Sequence, residues 1–163
     1  DTLAGSLAHG IQVLKAAQMA EHGHSRADII AELERHRAKM KILILLDTLE
    51  NIVKGGRLSR FQGSLASLLN IKVLLEDNEG AVEMKERIMG KKRFLRRVIE
   101  LIGERGLDLS DRVVGITHID NLADAELLSH EIQRLYHPQQ VIINHMGSTM
   151  GTYAGRGGLI VAL

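Results

Sequence analysis

The stretch RVVGITHIDNLADAELLSHEIQRLYHPQQVIINHM, residues 112–146, decides the fold class. Two short runs of apolar, mostly branched residues, RVVGITHI and QQVIINHM, are typical of buried strands, and the amphipathic stretch between them is typical of a helix. Because a strand–helix–strand unit connects its strands through a right-handed crossover, this order predicts that the two strands pair in parallel. The chain is therefore predicted to be an α/β protein.

The rest of the chain predicts a mixed sheet with flanking helices. A helix is expected from Leu3 to Met19, and another after Ser25, where Asp28 stands three positions beyond a good N-cap residue. Strands are predicted at 41–47, in a hairpin formed by 71–76 and 81–88, and at the apolar end, 159–163. Further helices are predicted at 48–54, 60–70 and 90–106, and a glycine-rich turn at 146–158.

Composition excludes several classes of function. The 163 residues are 45% hydrophobic, which suits one domain with a sizeable core. The chain has no Cys, so it has no disulfide framework, thiolate nucleophile or Cys-based zinc site. A formal net charge of +1 gives no basic excess for binding nucleic acid.

Targeting signals give a further expectation. The longest apolar run, ILILL, is much shorter than the roughly 20 residues that span a bilayer, and no signal-peptide pattern is present. A cytoplasmic protein without a membrane span is expected. Because the sequence starts without Met and enters a helix at once, we also expect the front of a larger protein to be missing.

The segment VKGGRLS, residues 53–59, has two interpretations. Paired glycines beside a basic residue are a common way to end a helix. The same glycines also allow a backbone loop to approach an anionic group closely, and Arg57 would then be presented to that group. Spacing alone leaves both interpretations open.

Two other segments are candidates for binding an anion. Lys91 and Lys92 stand at the start of the helix GKKRFLRRVIELIGERG, where basic residues oppose the helix dipole. The segment MGSTMGTYAGRGG, residues 146–158, combines free backbone N–H groups with hydroxyls that can hold a carboxylate or a phosphate. The alternative for this segment is a turn without a binding role.

Signatures of enzymes are weak in this sequence. His22, His24 and His36 lack a third ligand at a defined spacing, so a zinc site is not expected there. His118 and His145 end predicted strands, where ligands collect in α/β sheets, although each is also explained as a structural histidine. No GxSxG, P-loop or dinucleotide-binding pattern is present. We predict no catalytic residue and no metal.

Taken together, several segments resemble the DegV-like fatty-acid-binding family. These are TLENIVKGGRLS, SLASLLNIK, GKK, ITHIDN and GTYAGRG, and the resemblance covers essentially all 163 residues. It implies that residues 1–163 form a single α/β domain, the C-terminal lipid-binding domain of a two-domain fold whose N-terminal domain is absent. It also implies a long-chain fatty acid as ligand, no cofactor, and a carrier that presents the acyl carboxylate to a fatty acid kinase for phospholipid precursor synthesis.

The resemblance also suggests site residues. An aliphatic cleft would be lined by Leu65, Leu68, Leu69 and Ile71, which are equally explained as side chains that pack a helix against its own sheet. Thr152 and Tyr153 would lie near the carboxylate, and Tyr153 stands where the family has histidine, while Arg156 replaces a proline. The residues expected to face the kinase or the transferred phosphoryl group are Arg57, Lys91 and Lys92.

Two other functions remain compatible with the sequence. The first is a phosphate- or nucleotide-handling α/β enzyme domain that uses the two glycine loops, and it predicts turnover by this protein alone. The second is a regulatory remnant without ligand, suggested by Tyr153 in place of histidine. If the absent domain normally covers an apolar face, self-association of the chain is also expected.

Overall fold

The computed structural model describes residues 1–58, 71–78 and 80–163, which contain six helices and six strands. The helices are α1 (Ser6–Glu21), α2 (Arg26–Lys39), α3 (Glu50–Lys54), α4 (Lys91–Glu104), α5 (Leu122–Tyr136) and α6 (Ser148–Ala154). The strands are β1 (Ile42–Leu46), β2 (Ile71–Asn78), β3 (Ala81–Met89), β4 (Val113–His118), β5 (Gln140–His145) and β6 (Leu159–Ala162). The predicted α/β class, a mixed sheet with flanking helices, is confirmed.

The six strands form one mixed sheet in the order β3-β2-β1-β6-β4-β5. Strands β4 and β5 pair in parallel, as the crossover through α5 predicts, and all other neighbours are antiparallel. The last strand, β6, lies between β1 and β4, where Ile160 pairs with Ile44 on one side and with Thr117 on the other. The apolar chain end is therefore a central strand, which explains why all four of its residues are buried.

The sheet is covered on both faces, so β1 is buried at every position. Helices α4 and α5 cover the first face and meet the side chains of Leu43 and Leu45. Helices α1, α3 and α6 cover the second face, which carries Ile42, Ile44 and Leu46. Because successive strand residues point to opposite faces, the continuous apolar run ILILL supplies both cores.

Local signals place most helix boundaries correctly. The Ser25 hydroxyl accepts a hydrogen bond from the Asp28 backbone N–H at 3.2 Å, as the predicted N-cap requires. The first helix begins at Ser6 instead of Leu3, because both residues have positive φ, of 55° and 50°, and the chain turns there before the helix starts. Among the described residues, each helix is too short or too polar to cross a membrane.

Two predictions, the turn at 146–158 and the helix at 60–70, are not confirmed by the structure. The predicted glycine-rich turn at 146–158 is wrong in its first half, which forms α6. Glycine lowers helix propensity, but Gly151 lets this helix approach the residue after β4 so closely that an added Cβ would lie 3.0 Å from Ile119 Cδ1. Packing thus outweighs propensity. The helix predicted at 60–70 lies outside the described residues.

Candidate functional site

The two glycine-rich segments lie side by side on the second face of the sheet. Arg57 follows α3, and its guanidinium carbon lies 5.1 Å from the centre of the Tyr153 ring on α6. Its Nη2 is 3.5 Å from the Tyr153 hydroxyl, at the outer limit of a hydrogen bond. Arg57 is exposed and Tyr153 is half-buried. Two residues that are 96 positions apart in sequence thus form one cation–π pair.

The glycine pair of the KGGR loop makes this contact possible. A Cβ on Gly55 would lie 2.4 Å from Tyr153 Cε1, so only glycine leaves room for the ring. Gly56 has a φ of +75°, which other residues rarely adopt, and turns the chain out of α3. The glycines therefore end the helix, as the first interpretation predicts, and also seat Tyr153. The approach of this loop to an anionic group stays a prediction.

An apolar cavity of about 340 Å³ lies on the same face of the sheet. Its volume falls in the range of small-molecule sites. Strand residues form its floor, and Met150 of α6 lies on its wall. The apolar side chains around it are Leu3, Ala4, Ile42, Ile44, Val82, Met150 and Ile160.

Sequence reasoning missed these lining residues, because strand patterns distinguish buried from exposed positions but not filled from unfilled space. Ile42 and Ile44 were predicted only as part of a buried strand. These two residues share a face of the sheet with Ile160 of the last strand. That relation can be recognised only when the order of the strands is known.

The predicted fatty-acid-binding residues have different environments. Ile71 is half-buried at the start of β2 and packs against the second-face core. Thr152 is exposed, and its hydroxyl donates a hydrogen bond to the Ser148 carbonyl at 2.8 Å, which commits its only donor. Leu65, Leu68 and Leu69 lie outside the described residues. The roles of all these residues stay predictions.

Lys91 lies in a separate, polar cavity of about 340 Å³ beyond the carboxyl ends of the central strands β1 and β4. Its Nζ is 2.8 Å from Asp124 Oδ1, and the Asp124 side chain is only 10% exposed. Two further ion pairs, Lys72–Asp47 at 2.6 Å and Arg156–Asp120 at 3.2 Å, border the same cavity. The basic start of α4 therefore has a structural reason that the dipole argument missed, because Lys91 holds a nearly buried carboxylate.

Lys92 differs from its neighbour. Its side chain is exposed, and no ion pair holds it within the part of the chain that the structure describes. Arg57, Lys91 and Lys92 are therefore not equivalent cations, since Arg57 stacks on Tyr153 and Lys91 is neutralised by Asp124. Of the two lysines, Lys92 has the charge that is freely available to an anionic partner.

His118 and His145 end the parallel strands β4 and β5, and their ring centres are 4.4 Å apart. His118 is 2% exposed, and its Nδ1 accepts a hydrogen bond from the Asn121 backbone N–H at 3.3 Å. Burial lowers the pKa of His118, and the neighbouring His145 lowers it further, against smaller opposite effects of Asp120 and Glu126. These surroundings thus favour the neutral form of the ring at the end of β4.

This arrangement predicts a loss of stability in mild acid. Because the pKa of His118 is lower in the folded protein than its unfolded value of about 6.5, its contribution to stability is present above that pH and is lost as the pH falls through the folded pKa. His118→Asn keeps an acceptor near the Nδ1 position without titrating. We expect the free energy of unfolding, measured by urea denaturation, to fall less between pH 7 and pH 5 in this variant than in the wild type.

His36 provides a second, independent test of this pH dependence. Burial also lowers the pKa of His36, so it contributes in the same direction from a distant helix. His36→Asn should reduce the pH dependence independently, and the two effects should add. An unchanged slope in the His118→Asn variant would contradict the role assigned to His118.

Comparison with known proteins agrees with this architecture. A sequence profile described as "Uncharacterised protein, DegV family" matches residues 1–163. The chain belongs to the DegV family. A DegV domain-containing protein of Caldanaerobacter subterraneus is 32% identical over 156 residues, which are 92% of this chain and 54% of that protein. This DegV-family chain spans about half the length of the curated relatives it matches.

Some relatives are named for a ligand. A Thermotoga maritima relative named "Fatty acid-binding protein" is 32% identical over 160 residues, which are 96% of this chain and 55% of that protein. A solved DegV family protein from Thermus thermophilus, described for its fatty acid binding, superposes with a TM-score of 0.90 at 27% identity and covers 99% of this chain and 59% of its own. A Eubacterium eligens member loaded with heptadecanoic acid gives a TM-score of 0.89 at 25% identity over 99% of this chain and 58% of its own.

Proposed function

We propose that this DegV-family protein binds a long-chain fatty acid, with the acyl tail in the apolar cavity and the carboxylate beside Arg57 and Tyr153. The observation that carries the proposal is that α6 borders both the apolar cavity and the Arg57–Tyr153 pair. Met150 lines the cavity and Tyr153 contacts Arg57, and three residues along a helix rise only about 4.5 Å. Relatives that are named or described as fatty-acid-binding support the same ligand class.

The head group would meet two kinds of donor. The Tyr153 hydroxyl donates one hydrogen bond, and the exposed Arg57 guanidinium offers several N–H groups in a planar fork that suits a carboxylate. Thr152 would need to give up its bond to Ser148 before it could donate. Tyr153 thus replaces the donor that the family resemblance assigns to a histidine, and Leu65, Leu68, Leu69 and Ile71 remain proposed tail contacts.

A purified sample tests the ligand directly. Organic extraction of the full-length protein followed by mass spectrometry should yield about one fatty acid per protein molecule. Release of a nucleotide, or ATP turnover by the protein alone, would instead support the alternative of a phosphate-handling enzyme. A full-length protein that contains no lipid and takes up none from solution would overturn the proposal and favour a remnant without ligand.

We further propose that the protein is a carrier that serves a fatty acid kinase. In that reaction a carboxylate oxygen attacks the γ-phosphorus of ATP, the new O–P bond gives an acyl phosphate, and ADP leaves. The kinase supplies the ATP chemistry, and this protein supplies the oriented acid. An additional N-terminal domain of the same protein would contribute further hydroxyls to the carboxylate. The cytoplasmic location and the self-association of this chain stay predictions.

Arg57 is the residue through which the kinase role can be tested. Arg57→Ala should retain most of the fatty acid, because the apolar cavity and the Tyr153 hydroxyl are untouched, and should reduce its phosphorylation at least tenfold, because the exposed cation beside the carboxylate that accepts the phosphoryl group is lost. The measurement is acyl phosphate formation with kinase and ATP, beside lipid content by mass spectrometry. Arg35→Ala, at an exposed arginine of α2, is the control. Equal loss of lipid and phosphorylation would contradict a partner-facing role.

A further inference from the structure

The N-terminal segment 1–5 separates two cavities. One is the apolar cavity, and the other, of about 370 Å³, lies towards α2. Four residues belong to the walls of both, namely Leu3, Ala4, Ile42 and Asp77. Ile42 and Asp77 are parts of the sheet, so Leu3 and Ala4 are the residues that divide the space above it.

Leu3 closes the gap between this segment and the β2–β3 turn. A Cβ placed on Gly80 of that turn would lie 3.5 Å from Leu3 Cδ2, which is ordinary van der Waals contact. The Leu3 side chain is nevertheless 36% exposed, because it stands between two open spaces and is not packed into a core. It therefore forms an end wall of the apolar cavity.

Hydrogen bonds hold Leu3 in an unfavourable backbone conformation. Leu3 has a φ of 50°, in the left-handed region that side chains other than glycine seldom adopt. The Leu3 backbone N–H donates to Asp1 Oδ1 at 3.0 Å, and the Asp1 carbonyl accepts from Arg37 Nη1 at 2.7 Å. The Ser6 hydroxyl is 2.8 Å from the Thr117 hydroxyl, which ties the end of the segment to β4. The surrounding bonds thus maintain a conformation that Leu3 alone would not prefer.

We propose that Leu3 determines the longest acyl chain that this protein accepts. The inference rests on the proposed fatty acid ligand and names the residue that sets its length. Methylene groups up to the wall gain burial against Ile42, Ile44 and Ile160. Beyond the wall, the second cavity carries Arg37 and Lys41, so further methylenes meet charged groups and gain little.

The test measures binding of straight-chain saturated fatty acids of increasing length to the delipidated full-length protein. For the wild type, affinity should rise about fourfold per added methylene up to a limiting length and then level off. Leu3→Ala should move this limit to longer chains by one or two carbons, and Leu3→Trp should move it to shorter chains. Leu3→Gly repeats the first change while relieving the positive φ, so a folding defect of Leu3→Ala does not decide the result.

Leu7→Ala is the matched control. Leu7 stands at the start of α1, packs against Gly115 of β4 and lines neither cavity. This variant should leave the limiting length unchanged. If fatty acids bind but all Leu3 variants share the wild-type limit, the role of Leu3 is wrong while the proposed ligand stands. If the wild type binds no fatty acid of any length, the proposed function fails, and the inference fails with it.

Discussion

Replacing Leu45 by Ala should lower the free energy of unfolding by about 3 kcal/mol. Leu45 is 1% exposed, and it packs in the first-face core that α4 and α5 cover. The lost methyl groups leave a closed space that the neighbouring helices cannot fill, so the cavity term adds to the lost transfer free energy. Urea denaturation of the delipidated protein measures this change without the stabilisation that a bound ligand would add.

Ile44→Ala is the matched comparison on the preceding residue of β1. Ile44 faces the opposite side of the sheet and borders the apolar cavity, so part of its surface already lacks packing partners. We expect a smaller loss, about 2 kcal/mol or less, together with a changed profile of bound fatty acids. Leu45→Ala should leave that profile unchanged. Equal losses of stability and equal lipid profiles would mean that the second face is a filled core and not a binding site.

Replacing Gly55 by Ala should also be costly, by about 1–3 kcal/mol. The backbone at Gly55, with a φ of −74°, accepts any residue, so the cost comes from the added Cβ alone. That atom would lie 2.4 Å from Tyr153 Cε1, and the ring must leave its position. Because Arg57 stacks on this ring, the variant should also lose the cation–π contact.

A double-mutant cycle separates this clash from other effects. Tyr153→Ala removes the ring, so adding Gly55→Ala to this variant should lower the free energy of unfolding much less than it does in the wild type. A coupling free energy of about 1 kcal/mol or more is expected. Gly56→Ala is the control. No atom lies within 4 Å of its added Cβ, and its penalty comes from the positive φ, so Tyr153→Ala should not rescue it. Additive effects at Gly55 would show that the ring does not restrict this position.

Much of the fold could be predicted from local sequence. Three segments show hydrophobic patterns that identify their secondary structure: the apolar run at 42–46, the hairpin around DNEG and the amphipathic residues of α4. These patterns are formed by residues that are close together in sequence, so they can be recognised without the tertiary structure. The Ser25 cap involves residues three positions apart and was equally visible. Helix α6 was missed because Gly151 lowers the local helix propensity, and packing of the helix against the second-face core compensates.

The candidate site was predicted less well, since its parts come together only in the tertiary structure. Sequence motifs marked Arg57, Tyr153 and Lys91 one by one. Their partners are far away along the chain, and nothing in the local pattern joins Arg57 to Tyr153 or Lys91 to Asp124. Sequence motifs gave Lys91 and Lys92 the same role, whereas the structure pairs Lys91 with Asp124 and gives Lys92 no ion pair among the described residues.

By itself, the sequence determined the α/β class, the DegV family and the order of the described elements other than α6, because periodicity, capping and motif spacing are properties of neighbouring residues. Only the tertiary structure decided that β6 enters the middle of the sheet, that α6 seats Tyr153 under Arg57, and that space remains above Ile44. A cavity is a place that no side chain fills. Its existence depends on how distant elements pack, which no single segment encodes.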